Sequence, residues 1–243
     1  MDYSFLQCGE GALTVHLGDG IDPAINRRVT ALQGAIDSAG LRGITDLIPA
    51  YADLTVCYDC TVISAKALQR QLRRLLDSLS VAGQDRRRVF RLPVCYGGDY
   101  GPDLDFVCHH SGLSAQEVIA LHSQPDYLIY MLGFLPGFAY LGGLDPRLHT
   151  PRLDSPRTCI PAGSVGIGGA QTGVYPLASP GGWQLLGRTP VSVFDRQRQE
   201  PILYRAGDLV HFVPISPAEY EEIARAVAAG TYTVQVEEVP VCD

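Results

Sequence analysis

The sequence predicts two domains: an α+β domain over residues 1–90 with the ferredoxin-like order β-α-β-β-α-β, then a mainly-β barrel over residues 91–243. Three observations carry this. The first third of the chain alternates period-two apolar runs with segments whose apolar residues recur every three or four positions. Beyond it, short apolar runs are separated by Gly and Pro, as in closed or nearly closed barrels of short strands. At 243 residues and 46% apolar composition, the chain can fill two ordinary cores.

Leu13, Val15 and Leu17 alternate with Thr14 and His16, which predicts a first strand. Asp22-Pro23 then reads as an N-cap followed by proline at the first helical position. Ile25, Val29, Leu32 and Ile36 follow at helical spacing up to Gly40. Gly43 to Pro49 carries a second strand, and Leu54, Val56 and Tyr58 a third. Ser64 opens a helix with Leu68, Leu72, Leu75, Leu76 and Leu79 on one face, and Arg88 to Val94 completes the order with a final strand. Arg86, Arg87, Arg88 and Arg91 are either a partner contact or a solvated linker and strand edge.

The texture changes at Pro93. Asp103 is placed to cap a short helix through His109. Ser114-Ala115-Gln116-Glu117 is a capping box for a helix ending near Ser123. Tyr127 to Leu132 is an apolar strand candidate. Further short strands are expected near Ser164–Ile167, Thr172–Tyr175, Trp183–Leu186, Val191–Phe194, Ile202–Tyr204 and Leu209–Pro214. Ser216-Pro217-Ala218-Glu219 is a second capping box, for a helix ending at Ala229, and Tyr232–Val236 is a closing strand.

Charge and cysteine content narrow the function. A net charge of −7 argues against a non-specific nucleic-acid or anionic-membrane binder, and Lys66, the single lysine, leaves little room for lysine-based phosphate or Schiff-base chemistry. No apolar run reaches membrane-spanning length and the N-terminus lacks a signal-peptide pattern, so a cytosolic (cytoplasmic) setting is expected. Seven cysteines, an odd and scattered set that includes Cys242, predict reduced thiols. The lone Cys57-x-x-Cys60 pair has no second pair at zinc spacing, and the histidines fall at no metal-binding spacing, so no metal site is expected.

Gly133 to Gly187 combines dense Gly and Pro with uninterrupted aromatic and apolar residues, which a disordered linker lacks. It reads as folded backbone that turns often, and as the candidate site. Gly163-Ser164-Val165-Gly166 falls short of a G-x-S-x-G elbow and no helix follows, so Ser164 is given no nucleophilic role. Gly163, Gly166, Gly168 and Gly169 lack the G-K-[ST] of a P-loop. They either present backbone N–H groups to a carboxylate or phosphate or serve close β-turns. The expected cleft brings Pro161, Gly163, Ser164, Gly166 and Gly168 together with Gly133, Phe134, Gly137 and Phe138. Gln171 and Thr172 would supply directional hydrogen bonds and Tyr175 and Trp183 a flat wall, or these four are buried residues satisfying a barrel core. His122 would end a helix whose dipole favours a protonated ring. Catalytic residues are not legible.

The run PAGSVGIGGAQTGVYPLASPGGWQLLGRTP (Pro161 to Pro190), with LGFLPGFAYLGGL and LHTPR before it and VCYGGDYGPDL and GLSAQEVIALHS upstream, resembles the allophanate hydrolase subunit 1 family. That family includes the B subunit of the bacterial ATP-dependent 5-oxoprolinase and the Kip-type inhibitor of a sporulation histidine kinase. The resemblance implies a cyclophilin-like barrel for the second domain. It implies work beside a subunit-2-type partner (the KipA-like C subunit) and a third, LamB/YcsF-like component (the A subunit), with ATP as co-substrate of the assembly and 5-oxoproline cleaved to glutamate. It also admits inhibition of a sensor histidine kinase, or a role related to allophanate hydrolase and urea carboxylase.

Overall fold

The structure is a computed structural model that describes residues 3–79 and 86–240. The chain divides into two compact units, one ending at Asp85 and the other beginning at Arg86. Among the described residues no helix is long and apolar enough to cross a membrane.

The first unit contains β1 (Ser4–Cys8), β2 (Ala12–His16), α1 (Pro23–Ala39), β3 (Ile44–Pro49), β4 (Asp53–Tyr58) and α2 (Ala65–Asp77). Its sheet is antiparallel in the order β1-β2-β4-β3. Alternation in β4 turns Leu54, Val56 and Tyr58 inward, and the helices lay Val29, Leu32 and Ile36, and Leu68, Leu72 and Leu76, over that face. Burying side chains of this size contributes about 1.5–3 kcal/mol each. The Asp22 carboxylate accepts from Ala24 N at 2.7 Å and Gly40 takes the left-handed conformation, so α1 has the boundaries its sequence signals imply.

One member of the expected β-α-β-β-α-β order sits elsewhere. The order does run from β2 to β5 (Arg86–Tyr96), but β5 pairs within the second unit, and β1 flanks β2 in its place. The unit boundary therefore lies at residue 85 rather than 90. Ser4–Cys8 has almost no inward-facing side chain, which is why apolar periodicity does not reveal β1. The arginines of β5 are neither linker nor free edge. Arg88 grips the buried Asp208 through two hydrogen bonds of 3.0 and 2.6 Å, Arg91 grips Glu237 in the same bidentate way, and Arg86 pairs with Glu238.

After β5 come α3 (Leu104–Ser111), α4 (Ala115–Ser123), β6 (Asp126–Leu132), β7 (Ala139–Gly142), β8 (Arg157–Ile160), β9 (Ser164–Gly168), β10 (Gln171–Val174), β11 (Ser179–Gly181), β12 (Gln184–Arg188), β13 (Leu209–Ile215), α5 (Pro217–Ala228) and β14 (Gln235–Pro240). Seven strands run β12-β9-β10-β7-β6-β13-β5, and β12 pairs again with β5 to close the ring, while β14 adds to the outer edge of β5. This is the mainly-β barrel expected of the second domain. Its interior holds Leu92, Val94, Tyr127, Ile129, Leu141, Val165, Ile167, Leu186 and Phe212. Both capping boxes form, at Ser114 with Glu117 and at Ser216 with Glu219.

Two expected strands, Val191–Phe194 and Ile202–Tyr204, are irregular and share only an isolated bridge between Phe194 and Ile202. Their apolar side chains Val191, Val193 and Tyr204 still fill the core. The alternation there records burial, not ladder pairing. The closing strand is shifted to Gln235–Pro240, and Cys242 lies outside the described residues.

Candidate functional site

The β6–β7 connection begins the site. Gly133-Phe134-Leu135 makes a γ-turn, with Leu135 N donating to Gly133 O at 2.6 Å. Leu135-Pro136-Gly137-Phe138 follows as a β-turn closed by Phe138 N to Leu135 O at 2.9 Å, with Gly137 at φ 83° behind proline. The first turn places Phe134 at φ 59°, the only positive φ among the described non-glycine residues, and leaves 64% of it exposed. A bulky residue there carries about 1–3 kcal/mol of strain, and such strain persists where the surroundings impose it.

Behind Phe134 stands a cluster of buried rings. Phe138, Tyr175 and Trp183 meet edge to face, with centroids 5.5–5.9 Å apart, and Phe134 and Tyr140 each approach Phe138 in the same way. Together with Arg152, Pro180 and Gly181 of β11, and Gly182 after it, they line a cavity of about 140 Å³. The Arg152 guanidinium lies 6.0 Å from the Trp183 ring centroid. Gly181 is required because a Cβ would lie 2.6 Å from the Tyr175 hydroxyl oxygen. Burial raises the Tyr175 phenol above its usual value, and the charges of Arg152 and Arg157 partly oppose this.

A second set of expected site residues forms the barrel interior. The His122 ring is fully buried and stacked on Phe212. Its Nδ1 lies 2.8 Å from the Tyr96 hydroxyl and its Nε2 lies 2.7 Å from Thr172 Oγ1. Thr172 donates its own proton to Gly166 O at 3.0 Å, so it accepts from Nε2–H. The tautomer follows, and Tyr96 donates to Nδ1. A single chain of hydrogen bonds therefore runs from Tyr96 through His122 and Thr172 to the Gly166 carbonyl. Burial holds the ring neutral, with its pKa lowered to about 3. The expected protonated histidine at a helix end is thus corrected: desolvation of the charged ring outweighs the dipole of the short helix α4.

The glycines are corrected in the same direction. Gly166 and Gly168 lie in β9, within the antiparallel pairings to β10 and β12, rather than in a free loop. A Cβ on Gly168 would overlap the Trp183 ring, and one on Gly166 would lie 2.7 Å from Gln184 O. Gly163 is buried at φ 79°, a Cβ there would overlap Thr189 O, and its N–H bonds Tyr175 O. These glycines serve close packing. Ser164 is buried with an unpartnered hydroxyl, Pro161 is exposed, and neither lines the cavity. Thr172 is spent on the interior chain, and Gln171, half-buried on the β9–β10 hairpin, is also away from the cavity. Gly133 and Gly137 shape the turns that carry Phe134 and Phe138.

Of the expected residues, Phe134, Phe138, Tyr175 and Trp183 come together in one pocket. Sequence reasoning missed Tyr140, Arg152, and the pair that braces Trp183 from behind. Asp103 starts α3, yet its carboxylate caps nothing. It binds Arg157 Nη2 at 2.6 Å and Leu185 N at 2.6 Å, and Arg157 Nη1 donates to Trp183 O at 3.3 Å. A carboxylate holding a guanidinium and a backbone donor is more stabilised than one exposed at a helix end. Among the described residues, no three of His, Cys, Asp and Glu gather as a metal site.

Comparison with known proteins places this architecture. Residues 3–204 match the model of the carboxyltransferase domain, subdomain C and D. The chain belongs to this carboxyltransferase-domain family. It is 42% identical over 228 residues to the B subunit of 5-oxoprolinase from Bacillus subtilis, spanning 90% of this chain and 95% of that one. The solved structure of TTHA0988 is 41% identical with a TM-score of 0.75. It covers 84% of this chain, while this chain spans only 40% of it. The fold also recurs in the urea carboxylase of Kluyveromyces lactis, at 23% identity and a TM-score of 0.81, over 98% of this chain and 24% of that one. The family match takes in every pocket residue, whereas β13, α5 and β14 lie beyond it.

Within this carboxyltransferase-domain chain, the strained turn supplies a test of the pocket's construction. Phe134→Gly removes ring and strain together, and Phe134→Ala removes the ring alone. Thermal melts should place the glycine variant above the alanine variant by a few degrees, corresponding to about 1 kcal/mol. Equal melting temperatures would show that the turn stores no strain.

Proposed function

We propose that the chain is the B-type subunit of an ATP-dependent 5-oxoprolinase. It acts with a C-type partner of the subunit-2 kind and a third, A-type component, in cleavage of 5-oxo-L-proline to L-glutamate. The observation that carries this is the 42% identity with the B. subtilis 5-oxoprolinase B subunit along nearly the whole of both chains. ATP enters as co-substrate of the assembly, and this sequence has no P-loop to hold it. The TTHA0988 chain supports dependence on partners, because the counterpart of this chain is only 40% of a longer polypeptide there. Segments joined covalently in one protein are well placed to act together when they occur as separate chains.

The test is reconstitution. The purified chain alone is expected to release no measurable glutamate from 5-oxoproline and ATP. Addition of the C-type and A-type counterparts should produce ATP-dependent turnover. Full turnover by the chain alone, or an inert mixture of the three folded proteins, overturns the reading.

A further inference from the structure

On the reading just given, we infer that the cavity between Phe134, Tyr175 and Trp183 binds the lactam substrate itself: a small planar ring carrying one carboxylate, with the carboxylate on Arg152. The pocket's chemistry defines the ligand class, and 5-oxoproline is the member of that class the proposed function supplies.

Size sets the first limit. A cavity of about 140 Å³ is small beside the roughly 300–1,000 Å³ of sites for drug-sized ligands. It accommodates one small ring and not a nucleoside triphosphate, so ATP must bind elsewhere in the assembly. The walls set the second limit. Phe138, Tyr175 and Trp183, standing edge to face, offer an apolar corner of ring edges and faces that suits one small ring.

Charge sets the third. Two arginines rise from the segment before and within β8, and they differ. Arg157 is neutralised by Asp103. Arg152 is exposed over Trp183 and has no ion pair or hydrogen bond among the described residues. Its charge nevertheless reaches the pocket wall, since it opposes the upward shift that burial imposes on the Tyr175 phenol. The backbone on both sides of Arg152 is tied down. Gln184 Nε2 donates to Pro151 O at 3.1 Å, and Leu153 N donates to Gly182 O at 2.7 Å. A guanidinium carried on tied backbone at a cavity rim, and not already paired, is placed to take a carboxylate. The strained Phe134 ring, at the same rim, is placed to cover a bound ring.

Trp183 is the chain's single tryptophan, so emission excited selectively at tryptophan, beyond tyrosine absorption, reports this pocket alone. The full chain is titrated with 5-oxoproline, with 2-pyrrolidinone, which is the same ring without the carboxylate, and with ATP. 5-Oxoproline should change the emission saturably at millimolar concentration or below. Arg152→Gln should weaken that response about ten- to a hundredfold, while leaving the melting temperature unchanged. Pyrrolidinone should bind wild type and variant equally and weakly, and ATP should not compete. No saturable response to 5-oxoproline, or equal affinity in Arg152→Gln, overturns the inference. The two readings fail separately. Turnover by the reconstituted mixture with a silent Trp183 removes the pocket assignment and keeps the role in the complex. A carboxylate-dependent response with an inert mixture does the reverse.

Discussion

Acidification from pH 8 to pH 4 is expected to cost the wild-type chain on the order of 3 kcal/mol more than it costs His122→Gln. The folded ring has a pKa of about 3 against a usual value of 6.5. Below pH 6.5 the unfolded state takes up a proton that the folded state refuses, so stability rises with pH across this window. The contribution is fully present above pH 6.5 and is lost at about 1.4 kcal/mol per pH unit as the pH falls towards 3. Tyr96, Thr172 and Tyr127 are the polar groups packed on the ring, and none carries a positive or negative charge in this range. The glutamine of the variant does not titrate, so subtracting its urea-unfolding curve from that of wild type at each pH isolates the ring from the other histidines. The variant will also be less stable at pH 8, because the hydrogen-bond chain from Tyr96 to Gly166 is interrupted in a buried setting. A difference that stays flat with pH, or grows with rising acidity in favour of wild type, would show that the ring is charged or accessible in the folded barrel.

The same residue shows where the sequence stops being legible. His122 closes a helix whose capping box was readable at Ser114 and Glu117, because a cap is a local matter of four residues. That the ring then enters the barrel, between Phe212 of β13 and Thr172 of β10, depends on elements far along the chain. The glycines of β9 carry a parallel lesson. A Gly-rich run looks the same whether it turns, binds an anion or lets a neighbour approach, and only the Trp183 ring against Gly168 decides among these. The aromatic members of the pocket were visible because aromatics among glycines are unusual in any context. Tyr140 stands two residues from Phe138 and shares its face, so period-two reasoning would have found it had β7 been recognised. Arg152 had no local signal, since its role comes from the backbone ties at Pro151 and Leu153.

Asp103→Ala is expected to lower the stability of the barrel unit by roughly 3–5 kcal/mol and to loosen the pocket from behind. The Asp103 side chain is 12% exposed and Arg157's 29%, so the pair is largely withdrawn from water. Removing the carboxylate strands a guanidinium in a poorly solvated position and leaves Leu185 N without its acceptor. Breaking one side of a buried pair costs about that much, because the remaining charge is uncompensated. Arg157 also holds the Trp183 carbonyl, so its release frees the connection between β11 and β12 that presents the indole. Two readouts follow from one variant. The melting temperature should fall by about 10 °C, and Trp183 emission should shift to the red as the ring, now 5% exposed, gains water. Asp103→Asn keeps one acceptor oxygen for Leu185 N but loses the charge and the acceptor for Arg157, so it should fall between wild type and alanine in both measurements. It also preserves the test if the alanine variant does not fold. Should Asp103→Asn match wild type in stability and emission alike, the charge contributes nothing, and the wall of the pocket must be held by the ring cluster of Phe138, Tyr175 and Trp183 alone.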